Sequence, residues 1–576
     1  MSNGSSSRSG SAPSPARYGF SDAVRAEEQL RAIGWWTDSG PVATYERAVA
    51  ALSRAADPDL ALHSIDRFRE AAESEWAQLG DELASDVRLR GGLLGVLGTS
   101  AAFADHLVAH PEDWRRLRSS ANTAAREVEA CTAELLAPVR FGDSTLTGRD
   151  AVIALGAGYR GLLLEIAARD LAGAVEPELE SAAFEQVAAS LSDVAVAALR
   201  AALVVAEAEL AGGEGSDAAE HLAVIAMGKT GGHELNYVSD VDVVFVAESE
   251  ADLAGAGKLA SMMMRVAGSA FFEVDAALRP EGKAGALVRT LDGHVNYYRR
   301  WARTWEFQAL LKARPVAGDA DLGRRYLEAV RPFVWTAAER EDFVADVRSM
   351  RRRVEDHVPA ELSERELKLG PGGLRDVEFA VQLLQMVHGR SDEDLRSPIT
   401  VEALRDLGEG GYVARADAAD LVESYGFLRT LEHRLQLRRL RRTHLFPAMD
   451  DKDELHFLAR SAGLRSSGRR SAGDVLVAEY RRHSNRVRRL HEKLFYRPLL
   501  EAVAKVPTDM LRLTTGAAVQ RLAALGYTSP EGALRHIEAL TAGVSRRAHI
   551  QGALLPMLLD LLAGTPDPDG GLLAYR

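Results

Sequence analysis

Residues 223–246 read AVIAMGKTGGHELNYVSDVDVVFV, and no other stretch restricts the fold of this chain so tightly. An apolar run meets Gly228-Lys229-Thr230, a Gly231-Gly232 turn follows, and Asp240 and Asp242 open a second apolar run. Gly-Lys-Thr ends a phosphate-cradling P-loop, G-x-x-x-x-G-K-[ST]. Here, however, Ala223 stands where the first glycine belongs, and Val224, Ile225, Ala226 and Met227 fill the cradle. A P-loop curls successive backbone amides around phosphate, a conformation that Val-Ile resists, so the segment reads as a strand delivering Gly228. Along DVDVVFV the side chains alternate: Asp240, Asp242, Val244 and Val246 share one face, and Val241, Val243 and Phe245 the other. Two carboxylates on one face at the start of a strand reach the same hard cation, such as Mg²⁺ carrying substrate phosphates. Gly231 and Gly232 let the backbone approach a ligand closely. GGHELNYVSD then forms a short helix whose N-terminal amides face phosphate oxygens. A third acid, Asp275 in FEVDAALRP, lies on another predicted strand. Three such acids hold two metal ions for an in-line displacement at phosphorus.

Around this unit the chain is helical in character, rich in Ala, Leu, Arg and Glu with apolar residues at three- and four-residue spacing. Residues 1–20 read as a disordered Ser/Gly/Pro tail, 21–210 as a helical region, and 211–320 as a small α/β catalytic unit that opens on the loop AGGEGSDAAE. Residues 321–500 read as a helical bundle and 501–576 as a further helical segment. The fold class is therefore α+β, predominantly helical, with a small sheet embedded between helical regions. Two helices carry the bundle's design. LKLGPGGLRDVEFAVQLLQMVHG places Leu374, Val377, Ala380, Val381 and Leu384 in one stripe. YGFLRTLEHRLQLRRLRRTHLFP puts Leu428, Leu431 and Leu435 on one face and arginines on the others. His106 and His110, one turn apart, lack an HExxH context and read as helix-face histidines.

A net charge of −13 argues against a general nucleic-acid binder and leaves room only for local basic patches. Cys131 is the only cysteine, so no intrachain disulfide and no cysteine zinc cluster is available, as in a reducing cytoplasm. No apolar run approaches the roughly 20 residues that span a bilayer, and the N-terminus lacks a signal-peptide centre. The expectation is a cytoplasmic, multidomain protein.

GKTGGHELNYVSDVDVVF resembles the G-K-x-G-G-x-E-L-x-x-x-S-D-x-D-hydrophobic signature of the glutamine synthetase adenylyltransferase/adenylyl-removing family, in the polymerase-β-like nucleotidyltransferase superfamily. VDAALRPEGKAGALV, YYRRWARTWEFQALLKARPVAGD, LKLGPGGLRDVEFAVQ, LEHRLQ and RTHLFP, and VLGTSAAFADHLVAHPEDW resemble its other blocks. The resemblance implies a bifunctional enzyme of two nucleotidyltransferase halves. One transfers AMP from ATP to a glutamine synthetase tyrosine; the other removes it by phosphorolysis, releasing ADP. With one catalytic unit behind the N-terminal region, this chain resembles the adenylyl-removing half, with 501–576 leading toward a second half. The alternatives are an adenylyltransferase using ATP, or a non-catalytic docking fragment for glutamine synthetase or a PII-type regulator.

Carried over, Asp240, Asp242 and Asp275 are the metal-binding and catalytic acids for two Mg²⁺ ions. Gly228, Lys229, Gly231, Gly232 and Ser239 line the phosphates, with Thr230 where the family more often has Leu. Arg279 and Lys283 balance phosphate charge. Glu306, Lys312 and Arg314 either face the nucleotide or brace the sheet. Lys368, Arg375 and Glu378 line the site and hold inorganic phosphate. The implied partners are adenylylated glutamine synthetase, nucleotide, inorganic phosphate and a PII-type regulator, with neither nucleic acid nor membrane. The clusters Arg438, Arg439, Arg441, Arg442 and Arg486, Arg488, Arg489 are solvated helix faces or an acidic partner's docking surface.

Overall fold

The computed structural model describes residues 14–504 except 120–123, 143, 211–220, 341, 342, 344, 345, 348 and 351–357. Beyond 504 it describes only 519, 522, 523, 527–541, 562 and 568–574. Most of the expected tail, the loop at 211–220 and most of the segment 501–576 lie outside the described residues. Residues 14–20 are folded: Pro15–Tyr18 forms a 3-10 turn and Phe20 is buried.

Among the described residues up to 210, nine α-helices (α1–α9) and two short hairpins, β1–β2 (Trp36–Thr37, Gly40–Pro41) and β3–β4 (Arg140–Phe141, Ser144–Thr145), precede the sheet. The last two helices, α8 (Gly148–Val175) and α9 (Phe184–Leu210), are long and apolar enough to cross a membrane by length and composition. They hold no long uninterrupted apolar run, because Arg160 and Glu165 in α8 and Asp193 and Arg200 in α9 interrupt the apolar residues. In the fold, most of their apolar surface is buried inside the protein. It packs in one core with β5 (Leu222–Ala226), β6 (Val241–Ala247) and α11 (Leu253–Ala270).

The sheet runs β7-β6-β5-β9, with β7 (Val274–Asp275) and β9 (Arg314–Gly318), and β8 (Val288–Thr290) pairs farther along β6. Strand β5 lies antiparallel to β6 and β9; β7 and β8 lie parallel to β6. The alternation read from DVDVVFV holds. Val241, Val243 and Phe245 join the core shared with α9 and α11. Val244 and Val246 face a second core built with Tyr298 of α12 (Leu291–Arg300), Phe307 of α13 (Thr304–Leu310) and Tyr326 of α14 (Ala320–Thr336). Both faces are covered, as continuous Val/Ile runs require.

The bundle has its own core. It comprises α15 (Leu374–His388), α16 (Thr400–Glu409), α17 (Arg415–Arg439), α18 (Lys452–Ser461) and α19 (Ala472–Ala504). The stripe Leu374, Val377, Ala380, Val381 and Leu384 is buried, as are Leu428 and Leu431, while Leu435 is partly buried. The arginines of α17 depart from the expected solvated face. Arg429 is fully buried and donates to the Glu234 carbonyl at 2.7 Å. Arg434 is buried against Asp170 of α8 at 2.6 Å. A guanidinium enters a core only with its donors paired, and both find partners on other layers. Helix α17 thereby joins the bundle to the sheet unit and to the N-terminal helices.

Candidate active site

The register of β6 against β7 makes the site. Asp242 and Asp275 are direct partners across this parallel pair. Asp242 is half-buried beside Asp275, and desolvation first, then that neighbouring charge, pushes its carboxyl up to about 6. Gly228 sits at φ +54°, and a Cβ there would meet Asp242 Oδ2 at 2.4 Å, so only glycine leaves the carboxylate its place. Asp275 Oδ1 accepts from the Ala277 amide at 2.7 Å, which fixes the side chain. Asp240 lies at the same end of β6 but forms an ion pair with Arg442, beyond the end of α17. The Ser239 hydroxyl donates to the Asp240 carbonyl at 2.9 Å.

Cations from the bundle side face these acids. Lys368 and Arg375 lie near enough to favour the ionised form of Asp242. Burial, then Arg375, lowers the pKa of Lys368. The guanidinium of Arg375 covers the Phe379 ring, and its buried Nε has no hydrogen-bond partner. The GPGG turn before α15 is pressed against α19: a Cβ on Gly372 would meet the Ser484 carbonyl at 2.1 Å.

Several residues expected to line the phosphates do something else. The helix after β5 is α10 (Gly228–Gly231), one turn long, and HELNYVSD is irregular, with His233 at φ +58°. Its backbone is claimed elsewhere: Arg429 takes the carbonyl of Glu234, and the Val238 amide donates to Gln436 Oε1 at 3.0 Å. Gly231 admits protein backbone, since a Cβ would come within 1.9 Å of the Lys312 carbonyl. At Gly232 a Cβ would meet Lys312 Nζ and the Pro398 carbonyl at 3.0 Å. Lys229 is taken up by the bundle, with Nζ 3.2 Å from the fully buried Glu432. Burial lowers Lys229 to about 8, against the pull of Glu432, and it stays protonated at neutral pH. Glu432 stays well below the usual carboxylate range, because Lys229, His444 and Arg429 outweigh its burial. Lys312 is paired with Glu234 and bonds the Thr400 hydroxyl at 3.0 Å. Arg279 spends its guanidinium on the carbonyls of Ala276, Lys283 and Gly285, and Lys283 itself is exposed. Glu306 caps α13 and Arg314 Nη2 bonds the Thr230 carbonyl at 2.8 Å, so both brace. Glu378 is buried near Lys229 and Lys368, and Arg375 first among these cations holds its pKa down against burial. His106 bonds Asp113 at 2.8 Å and packs on His110, as a helix-face histidine should.

The sequence reading missed Glu432, His444 and Arg442. Glu432 had a signal. Arg429, Glu432 and Gln436 recur at three- and four-residue spacing beside the apolar stripe of α17, where charge is expensive unless paired.

Two family models match the chain. The glutamate-ammonia ligase adenylyltransferase model covers residues 91–329 and the GlnD PII-uridylyltransferase model covers 343–495. The chain is 55% identical over 577 residues to the bifunctional glutamine synthetase adenylyltransferase/adenylyl-removing enzyme of Nocardia farcinica. It is 53% and 52% identical to proteins of the same name from Mycolicibacterium smegmatis and Mycobacterium tuberculosis. Each alignment takes in 98% of this chain and 56% of the relative. The chain belongs to the glutamine synthetase adenylyltransferase/adenylyl-removing family. It spans little more than half the length of these relatives. The three acids fall within the adenylyltransferase match, and Lys368, Arg375 and Arg442 within the uridylyltransferase match. The candidate site thus draws residues from both matched segments.

Among the described residues no group of three or more His, Cys, Asp or Glu side chains is gathered as a metal cage. The donor set nevertheless fits Mg²⁺, which is usually held by one or two carboxylates plus substrate phosphates. Asp242 and Asp275 are two such carboxylates, and a cation would relieve the repulsion that raises Asp242.

Proposed function

We propose that this chain is a Mg²⁺-dependent, polymerase-β-like nucleotidyltransferase unit that removes AMP from adenylylated glutamine synthetase by phosphorolysis, in the cytoplasm. The observation that carries the reading is the in-register pair Asp242–Asp275, with Asp240 just before it and Lys368 and Arg375 opposite. Acids on one wall and cations on the other suit a phosphoryl centre, where metal and phosphate must meet. The names of the relatives support glutamine synthetase as substrate, and the second family match supports a PII-type regulator.

In this reading an oxygen of inorganic phosphate bonds to the AMP phosphorus as the bond from that phosphorus to the tyrosine oxygen breaks. The tyrosine oxygen receives the proton that the phosphate gives up, leaving ADP and a free tyrosine hydroxyl. Divalent cations, when bound by Asp240, Asp242 and Asp275, neutralise phosphoryl charge. Lys368 and Arg375 hold the inorganic phosphate in line, Asp275 orients it, and Gly228 keeps the floor beneath Asp242 open.

The test uses purified chain, Mg²⁺ and glutamine synthetase carrying labelled AMP. Labelled ADP that appears only when phosphate is added is the expected result. Label transfer from ATP onto unmodified glutamine synthetase, with no release, would reverse the direction. Silence in both assays would sink the reading for the chain acting alone.

A further inference from the structure

Of the four clustered arginines, Arg442 is the one that pairs with an acid of the candidate site. Its placement is built. Helix α17 ends at Leu440, which adopts a left-handed conformation (φ 44°, ψ 51°) that costs a leucine roughly 1–2 kcal/mol. Beyond it the chain is pinned from two sides. The Leu367 amide donates to the His444 carbonyl at 2.9 Å, and the Phe446 amide donates to the Arg365 carbonyl at 2.8 Å. His444 Nδ1 lies 2.9 Å from Glu432. Arg442 leaves this clamped turn, reaches Asp240, and lies near enough to Lys368 to depress that lysine's pKa. Half of its side chain remains exposed (53%), so it is free to swing as a lysine or arginine sealed in a core is not.

The contact is chemically awkward for the proposed reaction. Asp240 is the carboxylate best placed to complete a metal site with Asp242 and Asp275, and Arg442 occupies it. An arginine fork binds carboxylate and phosphate with the same geometry. We propose that Arg442 is an exchangeable phosphate-binding residue. It holds Asp240 while the site is empty and transfers to a phosphate oxygen of the nucleotide or of inorganic phosphate when a divalent cation takes Asp240. Lys368, Arg375 and Arg442 then form one anion subsite, contributed by the bundle to acids contributed by the sheet. The proposal deepens the nucleotidyltransferase reading, but its test needs no glutamine synthetase. Failure of deadenylylation and failure of the exchange are therefore separately visible.

The experiment is Mn²⁺ binding to the whole chain without nucleotide, followed by ADP binding with and without saturating Mn²⁺. In Arg442→Ala, Mn²⁺ binds about fivefold tighter, because a half-exposed ion pair no longer competes for Asp240. ADP binding in the presence of Mn²⁺ becomes about tenfold weaker. Arg442→Lys keeps the Mn²⁺ affinity within about twofold of the original chain. Unchanged or weaker Mn²⁺ binding in Arg442→Ala, with an unchanged melting curve, overturns the exchange. A melting point several degrees lower together with lost Mn²⁺ binding makes Arg442 a structural brace and overturns it too. Asp240→Asn supplies an arm that does not require Arg442→Ala to fold. It frees Arg442, and metal-free ADP affinity rises several-fold. That gain is lost again in Asp240→Asn/Arg442→Ala, as a coupled pair demands. A gain that persists in the double variant comes from lost repulsion alone and refutes the proposal.

Discussion

The Gly-Lys-Thr turn has two sides, and they are built on opposite principles. Toward α17, charges meet in matched pairs: Lys229 with Glu432, Arg429 with the loop carbonyls and Asn236, Lys312 with Glu234 and Thr400. Toward β7, like charges are crowded together: Asp242 against Asp275, with Lys368 and Arg375 opposing and an Arg375 Nε that makes no hydrogen bond. The matched side gains nothing from a ligand. The mismatched side is poised for one, because a cation and a phosphate would complete it. A lysine inside a phosphate-loop signature thus serves as a rivet, and the cations that face the acids come from a segment more than a hundred residues downstream.

The sharpest way to break this contrast is on the matched side. Glu432→Ala strands Lys229 and Arg429 without their counter-charge, and about 3–5 kcal/mol of stability should be lost, read as a shift of the urea midpoint. A smaller shift than any change at Asp242 would mean that the pairing is ornamental. On the mismatched side the sign reverses. The Asp242 carboxyl titrates near 6 in the folded chain against an ordinary 3.8, so between those values the native state keeps a proton that the unfolded chain gives up. Stability therefore falls as pH rises through that window and stays lower above it. Asp242→Asn should raise stability at pH 7.5 by up to about 3 kcal/mol, vanish as a stabiliser near pH 4, and abolish turnover. Equal denaturation midpoints of the variant and the parent at both pH values would remove the claim of strain.

Between the two sides stands Gly231. Gly231→Ala should cost about 1–3 kcal/mol, because its Cβ collides with the Lys312 and Ala226 carbonyls, which are backbone and cannot swing aside. A neutral result in thermal melts would show that the turn has room to shift. The smallest change is expected at Leu440→Gly. Relief of the left-handed strain and loss of the leucine's packing nearly cancel, leaving stability within about 1 kcal/mol. A loss of several kcal/mol would instead make Leu440 a core residue first.

The sheet was readable because its signals are local. DVDVVFV alternates, and Ala223, where a P-loop needs glycine, disqualifies the cradle without any structure. The pairing of Asp242 with Asp275 could be anticipated only as proximity; the register itself depends on β7 lying beside β6. The roles of Gly231 and Lys229 were misread, since a glycine that admits protein backbone and one that admits a ligand look identical in a string of letters. Arg442 was grouped with surface arginines because its direction is set by Leu440, whose left-handed backbone no residue type announces. The acidic and basic halves of the site lie 93 residues apart even at their nearest, Asp275 to Lys368, and no spacing rule joins them.

Lys229 and Glu432 are separated by 203 residues along the chain. At about 5–20 residues per second of synthesis, the lysine leaves the ribosome some 10–40 s before its carboxylate exists. During that interval the strands of the sheet can pair, but the turn between them has no counter-ion to bury its lysine against. The nascent sheet must wait with its turn open to water. The Lys229 turn is closed only after α17 has been made, so this part of the core is completed long after its strands have been synthesised.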